Sequence, residues 1–310
     1  MKTGFRFMLA GIGLAVMSVP AEAAMVGSNP EYPLGNTLGQ PTGLLPPPGV
    51  YLTFKPSYTQ SRPVDGNGHF TGAHANIWGA TGSLAYIPDI RIFGARYGMF
   101  IRSIGWLNVS LTTPRAAGGK TFNRIGLVDT EFTPLSLSWD LGHHVFFDAD
   151  FGFYPPNGQY SDTAKVNTGQ NHWTIEPDMS VSWLPGPYQF TVHATLDKNF
   201  ENSATHYTNG STMDWDFTAM RGFGHWSIGP VSYFYKQITA DSGPAALNGG
   251  SPEAFALGAD VAYQGKGYKM NMFFTHDVYA RNVGEAGKVV LTLSVPLMSV
   301  SYTHLRAHET

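Results

Sequence analysis

Residues 187–197 read PYQFTVHATLD, and two kinds of side chain alternate through them without a miss. Tyr188, Phe190, Val192, Ala194 and Leu196 fall on one parity, and Gln189, Thr191, His193, Thr195 and Asp197 on the other. An extended strand points successive side chains to opposite faces, so this segment is a strand with one oily face and one polar face. The pattern recurs. Trp173, Ile175, Pro177, Met179, Val181 and Trp183 alternate with His172, Thr174, Glu176, Asp178, Ser180 and Ser182. Met213, Trp215, Phe217 and Ala219 alternate with Asp214, Asp216 and Thr218, and similar rows run through 255–263, 268–274 and 289–297. Twelve strands are expected, near 49–60, 74–86, 96–111, 122–139, 144–154, 171–184, 187–199, 212–221, 225–238, 253–264, 267–278 and 286–298.

The connections alternate as well. Long polar loops such as 155–170 and 240–252 take turns with short ones such as LGH, PG, FG and GK. Six are long and five shorter, and of the short set only IPDIRIFGA, residues 87–95, is not tight. An even number of strands with short turns at one end and long loops at the other is the plan of an outer-membrane barrel, with the short turns periplasmic. The predicted fold is therefore all-β: an antiparallel transmembrane barrel with its oily face outward. A soluble sandwich or lipocalin-like barrel would turn that face inward and lacks the loop asymmetry.

Register supports a common facing. With Pro185-Gly186 as a two-residue turn, Val181 and Met179 oppose Phe190 and Val192, and Asp178 opposes His193. Phe223-Gly224 sets Ala219 against Ile228, and Gly265-Lys266 sets Tyr263 against Tyr268. A one-residue slip would invert any of these hairpins. The fourth strand, GLVDTEFTPLSLSW, breaks the rule, because Leu127, Leu135 and Leu137 share parity with Asp129 and Glu131. A bulge or a segment standing above the lipid accounts for this.

Composition agrees. Lys2 and Arg6, an apolar run from Phe7 to Val19 and AEA at 21–23 read as a signal peptide over residues 1–23. The run is short of the roughly 20 residues a spanning helix needs. The chain has no cysteine, so its stability comes from the fold rather than from disulfides. Without Lys2, Arg6 and Glu22, the 19 basic and 22 acidic side chains become 17 and 21. That balance offers nucleic acid no electrostatic handle. Thirty-six glycines and an aromatic content of 14% suit strands and tight turns.

Enzymatic signals are weak. TPRAAGGKT, residues 113–121, ends like a phosphate loop, but Pro114 stands at the first glycine position and no helix follows, so a hairpin loop is expected. His143 and His144 read as a polar turn pair rather than metal ligands, and the other histidines lack zinc spacing. No catalytic residue, cofactor or metal is assigned. The inward parity instead collects ionisable groups: Lys55, Arg102, Asp148, Asp150, Glu176, Asp178, His193, Asp197, Asp214, Asp216, Asp260 and Lys269, with Lys236 placed among them. These are the candidate lumen-lining residues. They brace the interior or line a permeation path with a mild cation preference.

Three segments carry a resemblance: YPLGNTLGQPTGLLPPPGVYLTF at 32–54, VNTGQNHWTIEPDMSVSWL at 166–184 and NFENSATHYTNGSTMDWDFTAM at 199–220. Together they resemble the family of the MetA-pathway of phenol degradation, outer-membrane transporter-like β-barrel proteins of Gram-negative bacteria. GLVDTEFTPLSLSW resembles that family's Gly-Leu-Gly-Asp strand, with Val128 in place of the second glycine. The resemblance covers nearly the whole mature chain. It implies a transporter for aromatic or other hydrophobic compounds, reached by export and placed in the outer membrane by barrel-assembly machinery. Its expected partners are the lipid bilayer and small hydrophobic or aromatic solutes.

Four segments result: the signal peptide, a Pro/Gly-rich segment at 24–48 without periodicity, the barrel at 49–298, and a tail at 299–310. The Pro/Gly-rich segment reads as a periplasmic or plug strap. In the tail, VSYTHLRAHET resembles translated sequencing adapter, so it is expected to be non-native and to pack against nothing. The expected function is passive passage of small, aromatic or hydrophobic solutes without catalysis. The alternatives are a structural or adhesive barrel with a blocked lumen, or an outer-membrane hydrolase.

Overall fold

The structure, a computed structural model, describes residues 30–244 and 250–299. Its strands are β1 Gly49–Pro63, β2 His74–Ile87, β3 Arg91–Ile92, β4 Ala95–Thr112, β5 Thr121–Leu127, β6 Glu131–Asp140 and β7 Val145–Tyr154. They continue as β8 Thr174–Trp183, β9 Tyr188–Asn199, β10 Thr212–Phe223, β11 Trp226–Gln237, β12 Glu253–Gly265, β13 Tyr268–Arg281 and β14 Gly284–Ser299. Each wall strand pairs antiparallel with its neighbours, β2 pairs β4, and β14 pairs β1, so the sheet closes. β3 is a two-residue ribbon against the foot of β4, and β5 and β6 make one interrupted wall strand. That leaves a closed barrel of 12 wall strands. Closure removes the unpaired edges whose N–H and C=O groups lipid could not satisfy.

The facing is as expected. Phe190 and Val192 are 41% and 38% exposed on the outside, while His193 and Asp197 are 4% and 2% exposed inside. Trp183 stacks on Phe190 at 5.4 Å between ring centroids, and Trp226 meets Tyr263 at 4.8 Å. Both pairs flank short turns, where an aromatic girdle meets the membrane interface.

Register differs from expectation by two residues in all three hairpins. Val181 faces Val192 and Met179 faces Ala194, Arg221 faces Ile228, and Gly265 faces Tyr268. The turns therefore lie one residue further along the chain or are longer than two residues. Each glycine takes positive φ, Gly186 at 59°, Gly224 at 62° and Gly267 at 78°, and so belongs in the turn rather than the ladder. A slip of two keeps every side chain on its face, which is why the oily row survives the correction.

The wall between β5 and β6 resolves the parity conflict in two steps. Residues 128–130 leave the ladder, which turns Asp129 and Glu131 inward after Leu127 has faced out. A bulge between Phe132 and Leu135 then returns Leu135 to the outside, while Ser136 and Ser138 face in. The sixth long loop is drawn into the wall: the β13–β14 ladder stops at His276 and Gly287, but β13 runs on along β12 to Arg281 and β14 starts along β1 at Gly284, opposite Pro63, which leaves only Asn282 and Val283 between the strands. TPRAAGGKT is the β4–β5 hairpin loop, holding a short 3-10 turn at Arg115–Ala117. His143 and His144 sit in the β6–β7 turn with φ of 51° and 63°. Ser299 is the last ladder residue of β14, opposite Gly49, so the barrel runs one residue into the stretch read as foreign. The signal peptide and residues 300–310 lie outside the described residues.

Residues 30–48 run inside the barrel as a strap. Leu38 is fully buried against inward Tyr233, Tyr235, Phe273 and Ala256, and Leu45 packs on Ala85 and Ile87. Burying one such leucine contributes about 1.5–3 kcal/mol. Gly39 has φ of 77°, and a Cβ there would stand 2.3 Å from Asp260 Oδ2. Gly39→Ala is accordingly expected to cost about 1–3 kcal/mol, read as a lower urea midpoint of the purified barrel in detergent. An unchanged midpoint would contradict this seating of the strap.

Candidate functional site

The inner faces of β4, β6, β7 and β8 bring one guanidinium to several carboxylates. Arg102 donates from Nη1 to Glu131 Oε1 at 2.6 Å and from Nη2 to Asp150 Oδ2 at 2.6 Å, with Asp178 Oδ2 at 3.7 Å. Asp148 stands beside them, accepting from Ser136 Oγ at 3.2 Å. Ligand oxygens of Asp148, Asp150 and Asp178 lie within 4.8 Å of one another. A planar guanidinium suits this convergence because its fixed fork serves two carboxylates at once. The same Arg102 lies 4.4 Å from the centroid of Phe100, which covers its rim-facing side.

A second node joins the strap to β9 and β10. Asp216 accepts from the Thr37 backbone N–H at 2.9 Å, from Thr37 Oγ1 at 2.6 Å and from the Tyr32 hydroxyl at 3.2 Å. Tyr32 stacks on His193 at 5.8 Å, and His193 Nε2 bonds Thr195 Oγ1 at 3.0 Å. Asp197 is the acceptor for the Tyr32 N–H at 3.4 Å, and Asp214 stands next along β10. Three lysines donate to strap carbonyls: Lys55 to Asn36 at 2.8 Å, Lys269 to Gly39 at 3.5 Å and Lys288 to Leu34 at 2.5 Å. Lower down, Gly43 N–H reaches Ser182 Oγ at 2.9 Å, and Arg96 holds the carbonyls of Leu45 and Pro46. Near the loops, Glu31 comes within 3.9 Å of His172. Burial, aided by Asp129 and Asp197, pushes the Glu31 carboxyl up, while burial pushes His172 down. Both shifts favour the neutral forms.

Between the strap and the wall lies a cavity of about 690 Å³. It begins at the short-turn rim beside Tyr268, Pro47 and Pro296 and reaches Arg102, Asp178 and His193 at mid-height. Thr53, Thr81 and Ser83 line its β1 and β2 side.

All twelve candidate lumen residues face inward: Asp148, Asp150, Glu176, Asp178, His193, Asp197, Asp214, Asp216 and Asp260 are buried, and Lys55, Arg102 and Lys269 half-buried. The structure brings Lys55, Arg102, Asp148, Asp150, Asp178, His193 and Lys269 to one cavity, whereas Glu176, Asp197, Asp214, Asp216 and Asp260 lie outside its lining. Two finer expectations are corrected. Lys236 shares parity with outward Ile228 and pairs at the rim with Glu253 at 3.6 Å. Asp178 faces Thr195, and His193 faces Ser180, because of the two-residue register shift. Glu131, Asp277 and Lys288 are inward groups that the sequence reading left out of its lumen set. Asp277 and Lys288 alternate correctly with Phe274 and Val289, so parity carried the signal. Glu131 was hidden by the break at 128–130.

An outer-membrane channel from Pseudomonas putida superposes with a TM-score of 0.70 at 11% identity, over 81% of this chain and 96% of that one. The β domain of a Bordetella autotransporter gives 0.48 at 13% identity, over 80% and 98%. The first supports the barrel fold. No curated protein sequence matches the chain. Residues 60–293, well over half of the chain, match the family described as "Putative MetA-pathway of phenol degradation", to which this protein therefore belongs.

Proposed function

We propose that the protein is a passive outer-membrane channel of a Gram-negative envelope, passing small solutes of aromatic or hydrophobic character without catalysis. The observation that carries the reading is the cavity beside the strap. Its rim gathers the apolar surfaces of Leu44, Pro47, Tyr51 and Tyr268 beside Arg96 and Gln264, and its inner end is polar, with Arg102, Asp178 and His193. A space of this size accommodates a small aromatic molecule, which sheds water against the rim while its polar head stays hydrogen-bonded. Inward acids outnumber inward bases, which favours cations over anions of equal size. The outward aromatic rows fit a lipid bilayer, and insertion by barrel-assembly machinery is part of the same reading.

The strap gives a specific reason to weigh a blocked structural barrel, since it occupies part of the lumen. Reconstitution into planar bilayers, with a panel of aromatic acids and phenols in flux assays, separates the two. The expected result is small-conductance current and solute flux. Absence of both rejects the channel. A hydrolase finds less support, because among the described residues the histidine–hydroxyl contacts, His172 with Thr174 and His193 with Thr195, are buried.

A further inference from the structure

We propose that strap residues 32–45 are a fixed inner wall of the passage rather than a removable plug, and that solute moves between them and β1, β2 and β4, selected by Thr53, Thr81 and Ser83. The inference rests on the channel reading and names the route within it.

A plug that must leave needs an interior that tolerates its absence. This interior does not. The strap backbone is gripped through both its polar groups: carbonyls of Leu34, Asn36 and Gly39 accept from three lysines, and N–H groups of Thr37, Gly39 and Gly43 donate to Asp216, Thr218 and Ser182. Withdrawal would strand three ammonium groups and a buried carboxylate whose partners the strap supplies. It would also expose the sockets of Leu38 and Leu45. Gly43 lies so close to the wall that a Cβ would meet the Ser182 backbone nitrogen at 2.6 Å.

The grip is uneven around the barrel. Apart from Lys55, Tyr51 and Arg96, the polar tethers sit on β6, β8, β9, β10, β13 and β14. Toward β1 and β2 the strap instead faces the short hydroxyl side chains of Thr53, Thr81 and Ser83, and there the cavity lies. Their neighbours Leu52, Phe54 and Leu84 are exposed on the outer wall. Three small side chains opposite a tethered segment set the width of the route, and a large one would close it.

The chain has no cysteine, so engineered thiols report cleanly. Thr42 Oγ1 and Ser180 Oγ are 2.5 Å apart, within disulfide reach after Thr42→Cys and Ser180→Cys. The oxidised double variant is expected to pass solute at the same rate as the reduced one. A large drop restored by reductant would make the strap a gate and overturn the proposal. Ser83→Trp and Thr53→Trp, checked for folding by heat-modifiable migration, are expected to cut flux roughly ten-fold, and unchanged flux in both would equally overturn it. A third readout needs no flux. Ser83→Cys added to the locked barrel is expected to react with a small hydrophilic maleimide, and absence of labelling contradicts an open route beside a fixed strap. If wild type carries no solute while Ser83→Cys still labels, the channel reading fails and the fixed strap stands.

Discussion

Lysine at Val192 is expected to destabilise the barrel by about 2–4 kcal/mol, the cost of a charge on the lipid face near the membrane midplane. Val192 lies midway along β9 and is 38% exposed on the outer wall. One residue later the same change should behave differently. His193→Lys places its ammonium in the lumen near Asp216, which lies directly opposite on β10, so a smaller loss is expected. Urea unfolding in lipid vesicles, followed by tryptophan fluorescence, measures both. Equal losses would contradict the facing of β9, and with it the outward oily wall.

Removing the guanidinium at Arg102 should have a comparable effect by a different route. Arg102→Leu leaves Glu131, Asp150 and Asp178 facing one another without their shared cation. Breaking a buried ion network by deleting one partner typically costs about 3–5 kcal/mol, because the surviving charges remain desolvated. Access from the cavity favours the lower end of that range. Glu131→Gln and Asp150→Asn added to Arg102→Leu should recover much of the loss, since a neutral amide no longer needs a counter-charge. A single-variant loss below about 1 kcal/mol, the range of a solvent-screened pair, would show that Arg102 does not hold the cluster together.

These two expectations were not equally legible. Val192 and His193 are assigned by alternation within eleven residues, and no partner strand is needed to see it. Arg102, Asp150 and Asp178 are each legible as inward, but nothing local says that they meet. Their convergence depends on β4, β6, β7 and β8 lying side by side, and on the break at 128–130 that turns Glu131 inward. The hairpin registers fall between these cases. Glycine marked each turn, yet the pattern has period two and cannot distinguish registers that differ by two residues. The expected long final loop was misplaced for a related reason: residues 279–285 look polar and irregular, but β13 stays paired with β12 as far as Arg281 and β14 with β1 from Gly284, beyond the β13–β14 ladder and its oily rows.

What the sequence by itself determined is the wall: antiparallel strands closing into a barrel, with lipid outside and ionisable groups within. Alternation is a local property, and bilayer and lumen impose opposite demands on adjacent residues, so each strand carries its own orientation. Only the tertiary structure decided the interior. The 30–48 segment has no period to read. Its place in the lumen depends on contacts such as Thr37 with Asp216, 179 residues apart in the chain. Such a site exists only when the closed barrel brings those groups within hydrogen-bond distance, because a single hydrogen bond repays little of the entropy of closing so long a loop and the whole set must form together.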